Sequence, residues 1–475
     1  MCLLFAVLWL NGVSLGPTDD EAYYWVLAQR PAWGYAYHPP MVAWLIAVSQ
    51  WLWPHSVALR FPAAACVAIF TGLALKWLER AGADERGVRR GSLALFSFAG
   101  LYALAWMMVP DDPLFVGYMV MFYFCWRICF GDRSGSALFW LAFGAAFTVL
   151  SKYSGVLSVF SAFICVWVHL RGRARVRALS VLCAGTLSGL IPILFWNSRH
   201  EWASILYQIQ ARHEGGSLSW LRFARFWLIE FVIAGPGLFY MAFTLWKRKE
   251  PVFRFLFIWM FPAALVFCVQ PLFSDFKPHW AFVVWWPAAL GLAYLIAKDP
   301  RGLFTPLAQV QIGYGFSVIA VVWLACHVPI GGHLIQWSTN SQRPLLDVTN
   351  DLYGWDELPA LIAEKTPGGE VLPLIGSRYQ TAAQAAFARR DFVNTALVPR
   401  DIKARDEWPG LSAVRGYGPE WPRLNSPVLY VSDNRYDEPP GFPGASCSIL
   451  GKVTRMRAGI LAKTIELWKC EPGPR

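Results

Sequence analysis

Three adjacent acids open the first polar stretch of the chain, where Thr18-Asp19-Asp20-Glu21-Ala22-Tyr23-Tyr24-Trp25 follows directly on an apolar run. Carboxylates at such a boundary are costly unless they face water, cap a helix or do chemistry. Thr18 or Asp19 fits an N-cap, since acids favour the first turn of a helix. The same acids also fit a catalytic site. Further along lies Trp33-Gly34-Tyr35-Ala36-Tyr37-His38-Pro39-Pro40-Met41. Its prolines halt a helix and fix His38 just ahead of the next apolar segment. A lone loop histidine is more often structural than catalytic. A second pair of acids is pinned between prolines in Pro110-Asp111-Asp112-Pro113. A transporter could use that pair as a proton site, and an enzyme could use it to position a substrate or a metal. Asp20 and Asp111 could hold a divalent ion, although no ligand set is complete and no cofactor is certain.

Cations stand at matching positions. Lys152 and Tyr153 close one apolar run, Arg212 and His213 lie in the stretch 197–221, and Lys277-Pro278-His279-Trp280 precedes another run. Lys and Arg supply charge-assisted hydrogen bonds to a phosphate, free or on a lipid headgroup. The alternative is snorkelling to headgroups, which suits Arg199 better than Lys152 or Lys277 beside prolines and aromatics.

The elements that must carry these residues follow from composition. Of 475 residues, 56% are hydrophobic and only 15% charged, with a mean hydropathy of +0.38. A soluble protein carries about 25% charged residues, so the chain reads as a polytopic membrane protein. Its 26 Trp and 33 Phe suit a helical core and the headgroup belts. The net charge of +11 comes from short basic runs such as Lys247-Arg248-Lys249 between apolar stretches. That pattern sets membrane orientation and speaks against a nucleic-acid partner.

A span takes about 17–25 apolar residues. Eleven are expected, near 1–13, 57–78, 92–109, 114–130, 137–151, 154–170, 178–196, 222–246, 255–273, 281–297 and 308–328. The first is short and competes with a cleaved signal peptide. It lacks a charged leading region and a small-x-small site, so a span is preferred. Residues 41–53 read as a juxtamembrane helix in the interface. Alternate loops hold fifteen Lys and Arg on one side and five on the other, which assigns the basic set to the cytoplasm. The acids, the other cations and everything after about residue 330 are then extracytoplasmic.

Two domains are expected, a membrane domain over 1–330 with the first loop at 14–56, and an extracytoplasmic domain over 331–475. The second is richer in Pro, Gly, Asp and Arg. Helices are expected at 356–365 and 379–389, and strands near 371–375, 427–432 and 460–468, giving a small mixed α/β fold. Eight of ten cysteines lie in apolar stretches; Cys447 and Cys470 do not. In an oxidising compartment these two are expected to pair, a cross-link worth roughly 3 kcal/mol by chain entropy.

The run Asp20-Glu21-Ala22-Tyr23-Tyr24-Trp25, followed by His38-Pro39-Pro40-Met41-Val42-Ala43-Trp44-Leu45, resembles the first extracytoplasmic loop of bacterial glycosyltransferase family 39. That family is similar to protein O-mannosyltransferases and to aminoarabinose transferases that modify lipid A. Residues 110–113, Leu150-Ser151-Lys152-Tyr153 and Trp196-Asn197 match in order, and the resemblance covers roughly 15–300. It implies a GT-C fold with the active site on the extracytoplasmic side. It also implies an inner-membrane enzyme that takes a sugar from a polyprenyl-phosphate carrier without a nucleotide and passes it to lipid A or an envelope glycan. By residue, the family's essential Asp falls on Asp20, with Glu21 beside it, and the second-loop acid on Asp111. Asp19 lacks a clear counterpart. Tyr24, His38, Lys152, Tyr153, Arg212, His213, Lys277 and His279 are the expected substrate-binding side chains. Protein O-mannosylation is the rival enzyme. A transporter or flippase is the rival class, disfavoured because Glu230 is the one clear acid midway along a span.

Overall fold

The structure, a computed structural model, describes residues 12–53, 56–211, 217–274, 277–366, 371–398, 407–409, 414–415, 420–436 and 438–473. The expected first span therefore falls almost wholly outside the described residues. The chain divides into two compact units. One is drawn from 32–42 and 60–320, the other from 43–59 and 321–475 with the stretch that ends at Pro31.

Helices dominate the first unit. Among the described residues, five are long and apolar enough to cross a membrane: Val57–Arg80, Gly172–Arg199, Pro251–Leu272, Pro278–Lys298 and Pro306–His327. Asp111–Cys129, Gly135–Ser151 and Gly155–His169 cover three further expected spans. Two expectations need correction. The run 92–109 is two helices, Glu85–Phe96 and Ala99–Trp106, parted where Phe98 turns extended. The run 222–246 is also two, Trp220–Ala234 and Pro236–Lys247, bent by 103°.

That bend leaves backbone groups without helical partners, which hydrocarbon cannot satisfy. Gln311 meets them. Its Oε1 accepts from Gly237 N (2.9 Å) and Leu238 N (3.3 Å), and its Nε2 donates to Ala234 O (2.9 Å). Gly235 makes the corner at φ +84°, where a Cβ would meet the Tyr314 ring and Gln311.

Close helix packing rests on small residues. Gly185 and Gly189, four apart, lie against Ala142 and Ala146, so that an added Cβ at either would run into backbone. Small-xxx-small faces of this kind let apolar helices approach where no hydrophobic drive exists between them. Next to them Gly144 lies against Met121 and Gly117 against Thr148. Bulk comes from rings: Trp77, Tyr118, Phe122, Phe255 and Trp259 are fully buried, with centroids of neighbouring rings 5.2–6.3 Å apart.

The second unit contains a five-stranded mixed sheet. Its strands are β1 (Leu374–Gly376), β2 (Thr395–Leu397), β5 (Val428–Asp433), β6 (Ser446–Arg457) and β7 (Ile460–Glu471), in the order β2-β1-β5-β7-β6. β3 (Val414–Arg415) and β4 (Arg423–Leu424) form a separate short pair. Side chains alternate across the sheet, so one strand feeds two cores. Leu374, Leu429 and Val431 pack with Trp355, Leu358 and Ala385 on one face. Ile375, Val428 and Tyr430 pack with Leu424 and Phe442 on the other. Helices run over Leu358–Lys365 and Tyr379–Arg389. β6 and β7 form a hairpin through Ala458-Gly459, both with positive φ, the backbone of a tight two-residue turn. At its open end Cys447 faces Cys470, and the two are joined as a disulfide. At its turn Arg457 donates to Ala325 O and Cys326 O (3.0 Å each) and so closes the last turn of Pro306–His327.

Replacing Gln311 with Leu is expected to leave three backbone groups orphaned at the 103° corner, at about 1–3 kcal/mol each. A clear fall in melting temperature of the purified protein should follow; an unchanged one would show that water or lipid satisfies the corner.

Candidate functional site

The first acidic run begins the helix Asp19–Ala28. Thr18 is its N-cap, with its Oγ1 accepting from Glu21 N (3.2 Å) while Glu21 Oε2 accepts from Thr18 N (2.9 Å). This reciprocal capping box satisfies two backbone donors. Glu21 is fully buried in that role. Asp19 is also engaged: Oδ2 pairs with Arg435, and Oδ1 accepts from Gln384 Nε2 (3.0 Å). Asp20 sits between them, half-buried. Tyr23 donates to Glu407 Oε2 (2.6 Å), and burial together with that carboxylate pushes its phenol well up. Tyr24 is buried beside it, ring centroids 5.7 Å apart.

Arg435 gathers three carboxylates. Its Nε and Nη2 reach the two oxygens of Asp433 (3.0 and 2.7 Å), and its Nη1 reaches Asp19 and Asp351 (2.7 Å to Asp351). Lys463 Nζ lies 3.6 Å from Asp351, fully buried, with no hydrogen-bond partner among the described residues. Burial and the charge of Arg435 hold Lys463 below the usual lysine range. Burial, with Asp351 adding to it, raises Asp19 despite Arg435. Burial alone would raise Asp433 too, but the Arg435 hydrogen bonds and charge outweigh it and hold that carboxyl below the usual range.

A second cluster lies in the helical unit. Asp111 opens Asp111–Cys129 and is almost fully buried. Lys152, at the C-cap of Gly135–Ser151, bonds both its oxygens (2.8 and 2.9 Å). His279 Nε2 lies 3.9 Å from Asp111 Oδ2, and the Trp280 ring faces Lys152 Nζ at 5.6 Å. Lys152 is thus one half of a partly desolvated ion pair rather than a bare cation. Tyr153 hydrogen-bonds Ser204 (2.6 Å), and burial raises its phenol. Nearby, Glu201 and Trp202 both adopt positive φ (56° and 59°), strained for residues with side chains. Asn197 braces them, its Oδ1 taking Ile205 N (3.2 Å) and its backbone O taking Trp202 N (2.9 Å).

In this unit too, Gly34 packs on Trp196, Tyr37 lies over Tyr207 (4.0 Å) and Gln208 Nε2 donates to Tyr37 O (3.0 Å). His38 is half-buried, its carbonyl closing a turn with Tyr35 N (3.1 Å). Lys277 is exposed, at the start of the turn that carries His279 and Trp280. The structure therefore brings together Asp111, Lys152 and His279. Arg212 and His213 lie outside the described residues. No group of three or more His, Cys, Asp or Glu that could hold a metal occurs among the described residues.

Sequence reasoning missed Arg435, Gln384, Asp351, Asp433, Lys463 and Glu407. Arg435, Gln384, Asp351 and Lys463 lie hundreds of positions from Asp19, Glu407 lies as far from Tyr23, and Asp433-Asn434-Arg435 reads locally as an ordinary polar turn.

Residues 37–196 match the family described as dolichyl-phosphate-mannose-protein mannosyltransferase. A lipid A galacturonosyltransferase of Rhizobium johnstonii, RgtD, is 22% identical over 316 residues, 63% of this chain and 65% of its own length, so the chain matches just under two-thirds of that relative. Two crystal structures of ArnT from Cupriavidus metallidurans are similar in fold across 98% of this chain and 97% of theirs at 14% identity. The apo form has a TM-score of 0.61, and the form bound to undecaprenyl phosphate 0.63. The molecule is a multi-pass membrane protein with the fold of these enzymes and a small C-terminal sheet domain.

The depressed Asp433 carboxyl stabilises the fold above the unfolded carboxylate value of about 3.9 and loses that contribution as pH falls through its lower folded value. Asp433→Asn should therefore lower the melting temperature at pH 7, and the deficit should shrink below about pH 4. A deficit constant from pH 7 to 3 would mean that the Asp433 charge does not stabilise the fold.

Proposed function

We propose that the protein is an inner-membrane glycosyltransferase that takes a sugar from an undecaprenyl-phosphate carrier and delivers it to lipid A or an envelope glycan on the extracytoplasmic face. The observation that carries this reading is the likeness along nearly the whole chain to ArnT, of which one structure holds undecaprenyl phosphate. The lipid A relative supports the acceptor class. The family description favours a second acceptor, a protein hydroxyl, with the same kind of donor.

The reaction breaks the bond between the anomeric carbon and the carrier phosphate oxygen, forms one to the acceptor oxygen and returns the carrier as its phosphate. It has two electrostatic requirements. The acceptor must be oriented and, if it is a hydroxyl, relieved of its proton, which is a carboxylate's task. Negative charge building on the leaving phosphate must be met by cations or donors already in place. Asp20 takes the first role, as the position on which the resembled family's essential Asp falls, and Asp19 and Glu21 on either side of it are held by Arg435, Gln384 and the capping box. Lys152, oriented by Asp111, takes the second with Lys277 and Arg212, and His279 supplies a further donor. Tyr24, His38, Tyr153 and His213 complete the binding side chains. A phosphate acceptor needs no deprotonation, and Asp20 would then act by positioning.

Asp20→Asn should abolish transfer, read as loss of the mass increment on envelope lipids when the variant replaces the native protein, with membrane insertion intact. Full modification by Asp20→Asn would remove the catalytic assignment. Lys152→Ala should weaken binding of undecaprenyl phosphate, whereas unchanged binding would remove Lys152 from the carrier site. Mass increments on secreted proteins instead of lipids would move the acceptor to the second reading.

Sidedness has its own test. Non-reducing peptide maps of protein from intact membranes should yield a linked Cys447–Cys470 peptide, because such bonds persist on the oxidising side. Complete alkylation of both thiols without reductant would put the C-terminal domain in the cytoplasm.

A further inference from the structure

We infer that Arg435 is a positioning residue for the transfer reaction: through Asp19 it fixes the first turn of Asp19–Ala28 and thereby the carboxylate of Asp20. The inference rests on the reading of Asp20 given above, and it assigns the C-terminal domain a part in catalysis rather than the role of an appendage.

The guanidinium is anchored before it touches the helix. Two of its nitrogens hold Asp433, two residues back at the end of β5, in a bidentate fork (3.0 and 2.7 Å). That leaves Nη1 aimed at Asp19 and Asp351 from a rigid base. A planar fork can serve three carboxylates in fixed directions at once, which an ammonium on a flexible stem cannot. The helix is held from a second direction by Gln384 of Tyr379–Arg389. Its Nε2 lies within hydrogen-bond distance of Pro17 O (2.9 Å), Asp19 Oδ1 (3.0 Å) and Asp351 O (3.4 Å). Pro17 and Asp19 are therefore tied to the sheet domain, and Thr18 and Glu21 are tied to each other. Further down the same helix Tyr23 bonds Glu407 and packs edge-on to Tyr379 (5.2 Å), and Trp25 packs edge-on to Phe387 (5.4 Å).

A capping box alone fixes a helix start. It does not require a buried Asp at the next position, which burial and the Asp351 charge both disfavour. Asp19 is retained at that cost where it meets Arg435, and what the contact provides is the orientation of the residue that follows. Orientation matters steeply, since a displacement of about 1 Å can cost a hundredfold in rate.

The test uses full-length protein in nanodiscs, with undecaprenyl phosphate as the binding probe and native membranes as the source of donor and acceptor. Arg435→Gln should cut turnover per folded molecule by about ten- to a hundredfold while leaving affinity for undecaprenyl phosphate within about twofold. Arg435→Lys should recover only part of the loss. Asp19→Asn and Arg435→Gln should be strongly non-additive, with the double variant close to the worse single one. Should Arg435→Gln fail to fold, Gln384→Met with Asp19→Asn repeats the cycle on the second tether.

Unchanged turnover per folded molecule in the tether variants, or effects that simply multiply, would overturn the proposal. A parallel loss of carrier affinity would also overturn it, because general unfolding of the site predicts that result. Asp20→Asn separates the two levels. If that variant is inactive while Arg435→Gln turns over normally, positioning alone fails; if it is fully active, the reading of Asp20 fails as well.

Discussion

A charge removed from water must be met by an opposite charge or by fixed dipoles, and that requirement organises the polar part of this molecule. Asp111 meets Lys152, and Asp19 and Asp433 meet Arg435. Arg457 spends its donors on Thr349, Asn350 and two helix carbonyls, with its face over the Tyr353 ring. Removing one member of such a set leaves its partner as an uncompensated buried charge, a cost of about 3–5 kcal/mol where the pair is fully buried. The chain is 15% charged, so each buried charge stands out, and the paired ones mark where the fold is most specified.

The backbone obeys the same rule. Where a helix bends by 103° among apolar neighbours, a single amide side chain with two acceptor and two donor directions replaces the missing helical bonds. Where helices approach most closely, glycine removes the side chain instead, as at Gly185 and Gly189. Both devices spend sequence on geometry rather than hydrophobicity, and hydropathy does not detect them.

This is also why the sequence was legible in some places and opaque in others. Hydropathy gives the membrane class and most helices directly, because a span is a local property of about twenty residues. Residues 379–389 read as helix from their alanines, and Val428–Asp433 as a strand from its β-branched and aromatic residues. The bend at Gly235 was hidden, because its cause is Gln311 on another helix. β6 was hidden by its own composition: it is largely exposed and carries Gly, Lys and Arg, so only its pairing with β7 makes it a strand. The acids themselves were visible. Their division of labour was not, since Asp19 and Arg435 are 416 positions apart.

Three adjacent acids thus have three fates that side-chain chemistry alone would not separate. Glu21 reaches back across one turn because its longer stem spans the distance to the N-cap amide. Asp19, one methylene shorter, meets an arginine just past β5 and a glutamine of the helix Tyr379–Arg389. Both assignments consume negative charge at the positive end of a helix dipole, where it is favourable. Asp20 gains from the same dipole, and its two neighbours hold the backbone on either side of it. On the proposed reading, an acid placed in this way is oriented by folding, so less of a ligand's binding energy would be spent on ordering it. The pairing of Asp111 with Lys152 has the same logic with the sign reversed. A neutralised ammonium attracts a phosphate less strongly from a distance than a bare one does. Held by both Asp111 oxygens at the end of its helix, however, it is oriented in advance, and in the proposed role it would meet developing charge with little reorganisation.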